Sequence, residues 1–398
     1  MIRLACGLVA LVCATASTGA SFANQARIAL PEFVPSALGR MTESGFTAGK
    51  VLHTADGGQV FGFSIDLNGD DGLLASSETV SGGNVKSSVE TFSQSTATIT
   101  KVVARTNTMD DFVDLGIFGG DAGLIEHEHV LGFLQIRRTF HVLNPVTGQA
   151  FTTTWTPPNR ANLLIQQTAD DHQSTPQAVI FGTTKSGAPL IFTSDVAANT
   201  FGHVFHLDPT LFALNSGLQL AQDVWSGQAI FGLSPDGGTV GGSVPDIEMV
   251  DLTTGHVKGF QGVPIPPFNS GFVNGIAVDA ANGIACTTTE LDASVEFYDL
   301  STGSGIAVQL PGSEGNQFNS GEAVVVDPIH HLFLVAQPNG TVGPSGSVVD
   351  IYDEQGNLKK SITGFVAFGV TPELQVNPKT RVGFVSGPTP DAVTEFAY

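Results

Sequence analysis

The sequence predicts an all-β fold, a seven-bladed β-propeller with four-stranded antiparallel blades. Three observations carry that reading. Glycine is abundant, at 47 of 398 residues, and short alternating apolar runs lie between Gly, Pro, Asn and Asp turns. No stretch of twelve or more residues keeps a helical apolar stripe. Two turn-forming signals recur at a pitch of roughly fifty residues, which is the length of one four-stranded unit.

The clearest unit is residues 274–303, NGIAVDAANGIACTTTELDASVEFYDLSTG. Residues 274–279 read as a first strand, 284–288 as a second and 294–299 as a third, with a turn toward a fourth at 300–303. The third strand ends on apolar residues, then Asp or Asn, then a turn that often closes with Thr-Gly. This ending occurs at Asn144 to Gly148, Asp251 to Gly255 and Asp299 to Gly303, with looser copies at Asp353 to Gly356 and at Phe205 to Pro209. An Asp or Asn oxygen accepts a backbone hydrogen bond two residues on, and Gly supplies positive φ.

The second signal is a residue, often Phe, followed by Gly at the opening of a first strand. It stands at Phe61-Gly62, Phe118-Gly119, Phe181-Gly182, Phe231-Gly232, Asn274-Gly275, Ser320-Gly321 and Phe368-Gly369. The spacings are 57, 63, 50, 43, 46 and 48 residues, giving seven units. Gly at these positions suits inner strands that crowd around a central channel. The loops Phe268-Asn269-Ser270-Gly271 and Phe318-Asn319-Ser320-Gly321 are identical and fifty residues apart. The last unit stops at Tyr398 without a fourth strand. A strand near residues 27–33 is expected to supply it and to close the ring, leaving no open edge.

Residues 1–23 carry Arg3, an apolar run over residues 4–14 and a small-residue ending, Ala20-Ser21-Phe22-Ala23. This is the pattern of a secretory signal peptide. It predicts a secreted or periplasmic protein with a single propeller domain over residues 24–398. No other apolar run reaches the ~20 residues of a membrane span. Acidic residues outnumber basic ones 37 to 16, for a net charge of −21. That balance argues against nucleic acid and anionic membranes as partners. Cys286 is the sole cysteine beyond residue 23. It lies mid-strand, where a buried small hydrophobe is expected.

Several polar stretches are candidate sites. Asp66-Leu67-Asn68-Gly69-Asp70-Asp71-Gly72 places oxygens at alternate positions like a calcium loop. Asp71 stands where such a loop needs Gly, so a hairpin turn is expected. Glu126-His127-Glu128-His129 puts both histidines on one strand face, where they could share a metal. His203 and His206 fall on opposite strand faces. His330-His331 reads as a solvent-facing turn. No Gly-x-Ser-x-Gly, phosphate loop, dinucleotide fingerprint or His-Glu-x-x-His occurs.

Loops that lead into inner strands meet at a propeller's channel mouth. Here they carry Asn269, Asn274, Asn319, Glu322 and Glu373, which are the expected ligand-binding residues. Amide oxygens and carboxylates around an axis suit a divalent cation such as Ca²⁺.

The unit at residues 274–303, repeated at 319–356, resembles the YVTN, NHL and lactonase-like propeller superfamily. Asn274-Gly275-Ile276-Ala277-Val278-Asp279 is similar to the Asn-Gly strand of the regucalcin and gluconolactonase type, in which that Asn binds a divalent metal. The resemblance implies Asn274 as a metal ligand, and in a metal-dependent reading the channel-mouth carboxylates Glu322 and Glu373 would join it. The expected function is a binding propeller, a monomer that takes a small molecule, polymer or protein at the channel mouth. The alternative that the resemblance implies is a metal-dependent lactonase-like hydrolase or lyase.

Overall fold

A computed structural model describes residues 49–79, 85–106, 111–118, 122–132, 135–144, 147, 149–155, 168–170, 177–183, 189–195, 200–206, 221–232, 247–260, 273–289, 294–311, 323–337, 347–365, 368, 372–387 and 391–398. Among these residues, 28 strands form seven four-stranded antiparallel sheets, numbered 1 to 7 in chain order. The all-β propeller expectation is borne out. No helix among the described residues is long and apolar enough to cross a membrane.

Sheet 5 shows the plan. Its strands are Val273–Asp279, Ile284–Thr289, Ser294–Asp299 and Gly305–Gln309, each paired with the next. Sheet 6 repeats it with Ala323–Asp327, Leu332–Gln337, Val348–Asp353 and Leu358–Ile362. Sheet 7 takes Leu374–Asn377, Val382–Ser386 and Ala392–Ala397 from the end of the chain. Its fourth strand is Val51–His53, with Leu52 opposite Val393. The sequence expectation put this strand near residues 27–33, which lie outside the described residues. The strand that pairs is some twenty residues later, because Leu52 has a buried slot beside Phe384 and Val393.

The first strands neighbour one another in chain order, and that of sheet 7 also lies against that of sheet 1, Gln59–Ile65. Sheets 5 and 6 bury both faces among the described residues, so alternate residues serve opposite neighbours. In sheet 5, Ile276, Val278 and Tyr298 pack toward sheet 4 with Ile230, Ile247 and Met249. Ala277, Cys286 and Phe297 pack toward sheet 6 with Val326, Phe333 and Tyr352. Phe297 meets Phe333 edge-on at 5.6 Å between ring centres. Cys286 is fully buried, as its strand position implied, and burial pushes its thiol pKa well up.

The third-strand ending works as turn chemistry demands. Asp251 Oδ1 accepts from the N–H groups of Thr253 and Thr254 at 2.8 and 2.7 Å. Asp299 Oδ1 does the same for Ser301 and Thr302, and Asp353 Oδ1 for Gln355 and Asn357. Gly255, Gly303 and Gly356 close these turns with φ of 73°, 74° and 74°. The looser copy after Phe205 departs from the pattern, since Thr200–His206 is the fourth strand of its sheet.

The residue–Gly signal is less uniform than its spacing suggested. Gly62 and Gly275 lie in first strands, and a Cβ on Gly275 would stand 3.1 Å from the backbone of Val324 in the next first strand. That is the crowding expected. Phe118 instead ends a first strand, and Phe181-Gly182 and Phe231-Gly232 lie in second strands. A Phe-Gly pair fits wherever a strand needs one bulky and one absent side chain, so the dipeptide marks strands without marking their order.

Leu52 carries the docking of the N-terminal strand. Leu52→Ala is expected to lower stability by roughly 2–3 kcal/mol in urea unfolding, whereas the exposed neighbour Val51→Ala changes it little.

Candidate functional site

The strand directions give the propeller two unlike faces. First strands and third strands end on one of them, the turn face, because Asp279 pairs with Ile284 and Ile284 with Asp299. Fourth strands end on the other, the loop face. There the links 261–272, 310–322 and 363–373 lead into the next first strands. Turn-face links are short, such as 280–283, 328–331 and 378–381.

The expected ligand-binding residues belong to the loop face. Asn269, Asn319 and Glu322 lie outside the described residues. Asn274 is the second residue of Val273–Asp279, at its loop-face end, and its side chain is outside the described set. Glu373 is exposed, just before Leu374–Asn377. Its N–H donates to Ser386 Oγ at 2.8 Å, and its carbonyl accepts from the Ser386 N–H at 3.0 Å.

The turn face holds a recurring set of buried polar side chains, of which Asp66 alone stands among the sequence candidates. Asp66, Asp279, Asp327 and Asn377 each end or follow a first strand, and all are buried. One oxygen of each accepts from the N–H two residues on, in Asn68, Ala281, Ile329 and Lys379, at 2.8 to 3.1 Å. Where Asp66 is concerned, this is a hairpin turn. Gln94 fastens the same turn through the carbonyls of Asp66 and Asp71.

The other polar atom of three of these residues crosses to the next sheet. Asp279 Oδ2 stands 2.6 Å from His331 Nδ1 of sheet 6. Asp327 Oδ2 accepts from the Tyr398 hydroxyl of sheet 7 at 3.0 Å, and lies 2.7 Å from His330 Nδ1. Asn377 Nδ2 donates to Gln94 Oε1 of sheet 1 at 2.9 Å. His330-His331 is therefore not a simple solvent-facing turn. The reason is the turn's geometry: the fourth residue after Asp327 has φ of 55° and carries its ring back toward sheet 5.

Glu354, from the third turn of sheet 6, joins Asp279 and His331. The ligating atoms of these three side chains all lie within 4.8 Å of one another. Asn282 Nδ2 donates to Glu354 Oε1 at 2.7 Å and stands 3.2 Å from His331 Nδ1. The hydrogen bond with Asp279 raises the His331 pKa. Burial raises that of Glu354, with Asp279 adding to the effect. Among the described residues this is the one group of three or more His, Cys, Asp or Glu side chains able to converge on an ion. Asp66, Asp70 and Asp71 form no such group. Glu126–His129 lies on Ala122–Gly132, and His203 and His206 on Thr200–His206, as expected of strands; His206 is exposed.

A second polar layer runs through the third strands. Glu90, Glu248, Glu296 and Asp350 are buried, three residues before each strand's end. Glu90 accepts from the Ala55 N–H and from Ser88 Oγ. Glu296 accepts from the Tyr298 hydroxyl, and Asp350 from Ser361 Oγ and Gln337 Nε2. Glu248 Oε2 has no partner among the described residues. Burial raises its pKa to about 7.

No protein-family model matches the chain, and no curated protein matches it. Solved structures do share its fold. U3-55K aligns with a TM-score of 0.62 at 12% identity, over 89% of this chain and 100% of the other. The RRP9 WD40 repeats align with a TM-score of 0.60 at 12% identity, over 89% and 99%. The Cps50 (Swd1) β-propeller domain of Myceliophteria thermophila gives 0.57 at 11% identity, over 89% and 100%. The chain is a β-propeller. At these identities the likeness concerns the propeller fold alone and does not bear on the YVTN and lactonase-like resemblance.

Two outcomes test the polar layers. Asp327→Ala leaves two backbone N–H groups and the Tyr398 hydroxyl without their acceptor, and is expected to cost roughly 2–3 kcal/mol, against about 1 kcal/mol for Tyr398→Phe. Glu248 holds its proton more tightly folded than unfolded. Its stabilising contribution is full below its ordinary pKa near 4.5 and is lost as pH rises through about 7. Urea midpoints at pH 5 and pH 8 should therefore differ less in Glu248→Gln than in the wild type.

Proposed function

We propose that this chain is a ring of seven blades, closed by the strand Val51–His53, that binds a protein partner across its loop face. The asymmetry of the two faces carries the reading. Turn-face links are short and many of their polar groups are engaged in capping and with neighbouring sheets, which leaves little room there for a macromolecular partner. The long links, such as 261–272, 310–322 and 363–373, lie on the loop face, and variation and recognition concentrate in such segments when a rigid scaffold holds their ends. One matched chain comes from a structure of the Mitotic Checkpoint Complex, at a TM-score of 0.57 and 11% identity, so a propeller of this shape serves within an assembly.

Binding would centre on the channel mouth, with Asn274 and Glu373 among the contacts and Asn269, Asn319 and Glu322 beside them. The net charge of −21 favours a partner with a basic or neutral surface and disfavours nucleic acid. The leader-like residues 1–23 support a secreted or periplasmic setting, with residues 24–398 as the binding domain. This reading needs no catalytic group.

The test compares faces. A partner captured on the immobilised protein is quantified by surface plasmon resonance against Glu373→Lys and Asn274→Ala on the loop face, and Thr302→Lys and Lys379→Glu on the turn face. Loop-face changes are expected to weaken binding tenfold or more at unchanged melting temperature. Loss confined to the turn-face variants would reverse the assignment.

A further inference from the structure

We propose that Asp279, His331 and Glu354 form a binding site for a divalent transition-metal ion of the Zn²⁺ class, at the turn-face junction of sheets 5 and 6. The ligands would be Asp279 Oδ2, His331 Nδ1 and Glu354 Oε1. They come from three separate turns: the end of Val273–Asp279, the link after Ala323–Asp327, and the link after Val348–Asp353.

The distances support convergence on one point. His331 Nδ1 lies 2.6 Å from Asp279 Oδ2 and 3.8 Å from Glu354 Oε1. Ligand atoms bound to one Zn²⁺ at about 2.0–2.2 Å stand roughly 3–4 Å apart, so small side-chain shifts complete the set. Two oxygens and one imidazole nitrogen suit Zn²⁺ and its neighbours, whereas Ca²⁺ and Mg²⁺ prefer oxygen alone. Three protein ligands leave a position open for water or an exogenous group.

Proton accounting points the same way. His331 Nδ1 faces the Asp279 carboxylate as an acceptor and the Asn282 amide nitrogen as a donor, the latter at 3.2 Å. A single ring nitrogen cannot donate to one and accept from the other at once. Reversing the Asn282 amide would remove that conflict and set its oxygen against Glu354. A bound cation takes the Nδ1 lone pair and both carboxylate oxygens together. It also leaves the Asn282 N–H on Glu354, as the hydrogen bond between ligand and outer partner that metal sites commonly use.

Asp279 gives the site its anchor. Its carboxylate is fully buried, and its Oδ1 is fixed by the Ala281 N–H at 3.0 Å. His331 and Glu354 remain partly exposed, so an ion has a route from solvent. The corresponding residues of neighbouring turns differ: Gly283 has no side chain, and Arg381 lies over the Tyr398 ring. The donor set therefore belongs to one junction and is not a property of every blade.

The experiment uses untagged full-length protein, stripped with EDTA and dialysed. Zn²⁺ is titrated by isothermal calorimetry in the presence of millimolar Mg²⁺, with melting temperature read in parallel. The expected result is one Zn²⁺ per chain and a rise in melting temperature that EDTA reverses. His331→Gln and Glu354→Gln should each weaken binding at least tenfold. Both sit at partly exposed turns, and their metal-free melting temperatures show whether each has folded. His330→Ala should bind as the wild type does. The double variant His127→Ala, His129→Ala should also keep the site. No stoichiometric binding by the wild type, unchanged affinity in His331→Gln and Glu354→Gln, or loss confined to the His127, His129 variant would each overturn the assignment.

Discussion

A carboxylate removed from water must have its oxygens matched, since an uncompensated buried charge costs several kcal/mol. Asp279 and Asp327 meet that requirement in two directions at once. One oxygen closes the turn of their own sheet, and the other reaches the next sheet, through His331 in one case and Tyr398 in the other. Asn377 does the same with an amide, meeting Gln94. Neighbouring sheets are thus held in register at the ends of their inner strands. The turns there cannot lengthen without breaking a link between sheets.

That constraint separates the two faces. The turn face is short and tied to its neighbours, and the long links 261–272, 310–322 and 363–373 lie on the loop face. Apolar packing supplies the bulk of the adhesion. Phe297, Phe333 and Tyr352 fill one junction, and Leu52, Phe92 and Phe384 another, with Phe92 and Phe384 edge-on at 5.8 Å. Such packing is non-directional. The polar links at the strand ends add direction to it. The buried acids of the third strands form a further layer, in which Glu248 stands apart because burial alone governs its proton.

Much of the fold was legible because turn chemistry is local. Asp251, Asp299 and Asp353 cap turns that close within a few residues, and Gly255, Gly303 and Gly356 adopt the positive φ such turns need. The same logic misled where one dipeptide served several strand positions. Phe181-Gly182 and Phe231-Gly232 belong to second strands although their spacing fits first ones. The repeat at Asp66, Asp279, Asp327 and Asn377 was also open to reading, since each precedes its second strand by a similar interval. The acids at Glu248, Glu296 and Asp350 were equally regular, three residues before a strand-ending Asp.

By itself the sequence determined the all-β class, the four-stranded unit, the capped turns and the buried place of Cys286. These depend on period-two alternation and on hydrogen bonds spanning two to five residues. Only the tertiary structure decided that Val51–His53 is the strand beside Ala392–Ala397, and that Asp279 meets His331 and Glu354. Those partners are 52 and 75 residues beyond Asp279 in the chain. Their meeting depends on how adjacent sheets stack and on the left-handed turn at His331, and neither leaves a mark in local sequence pattern.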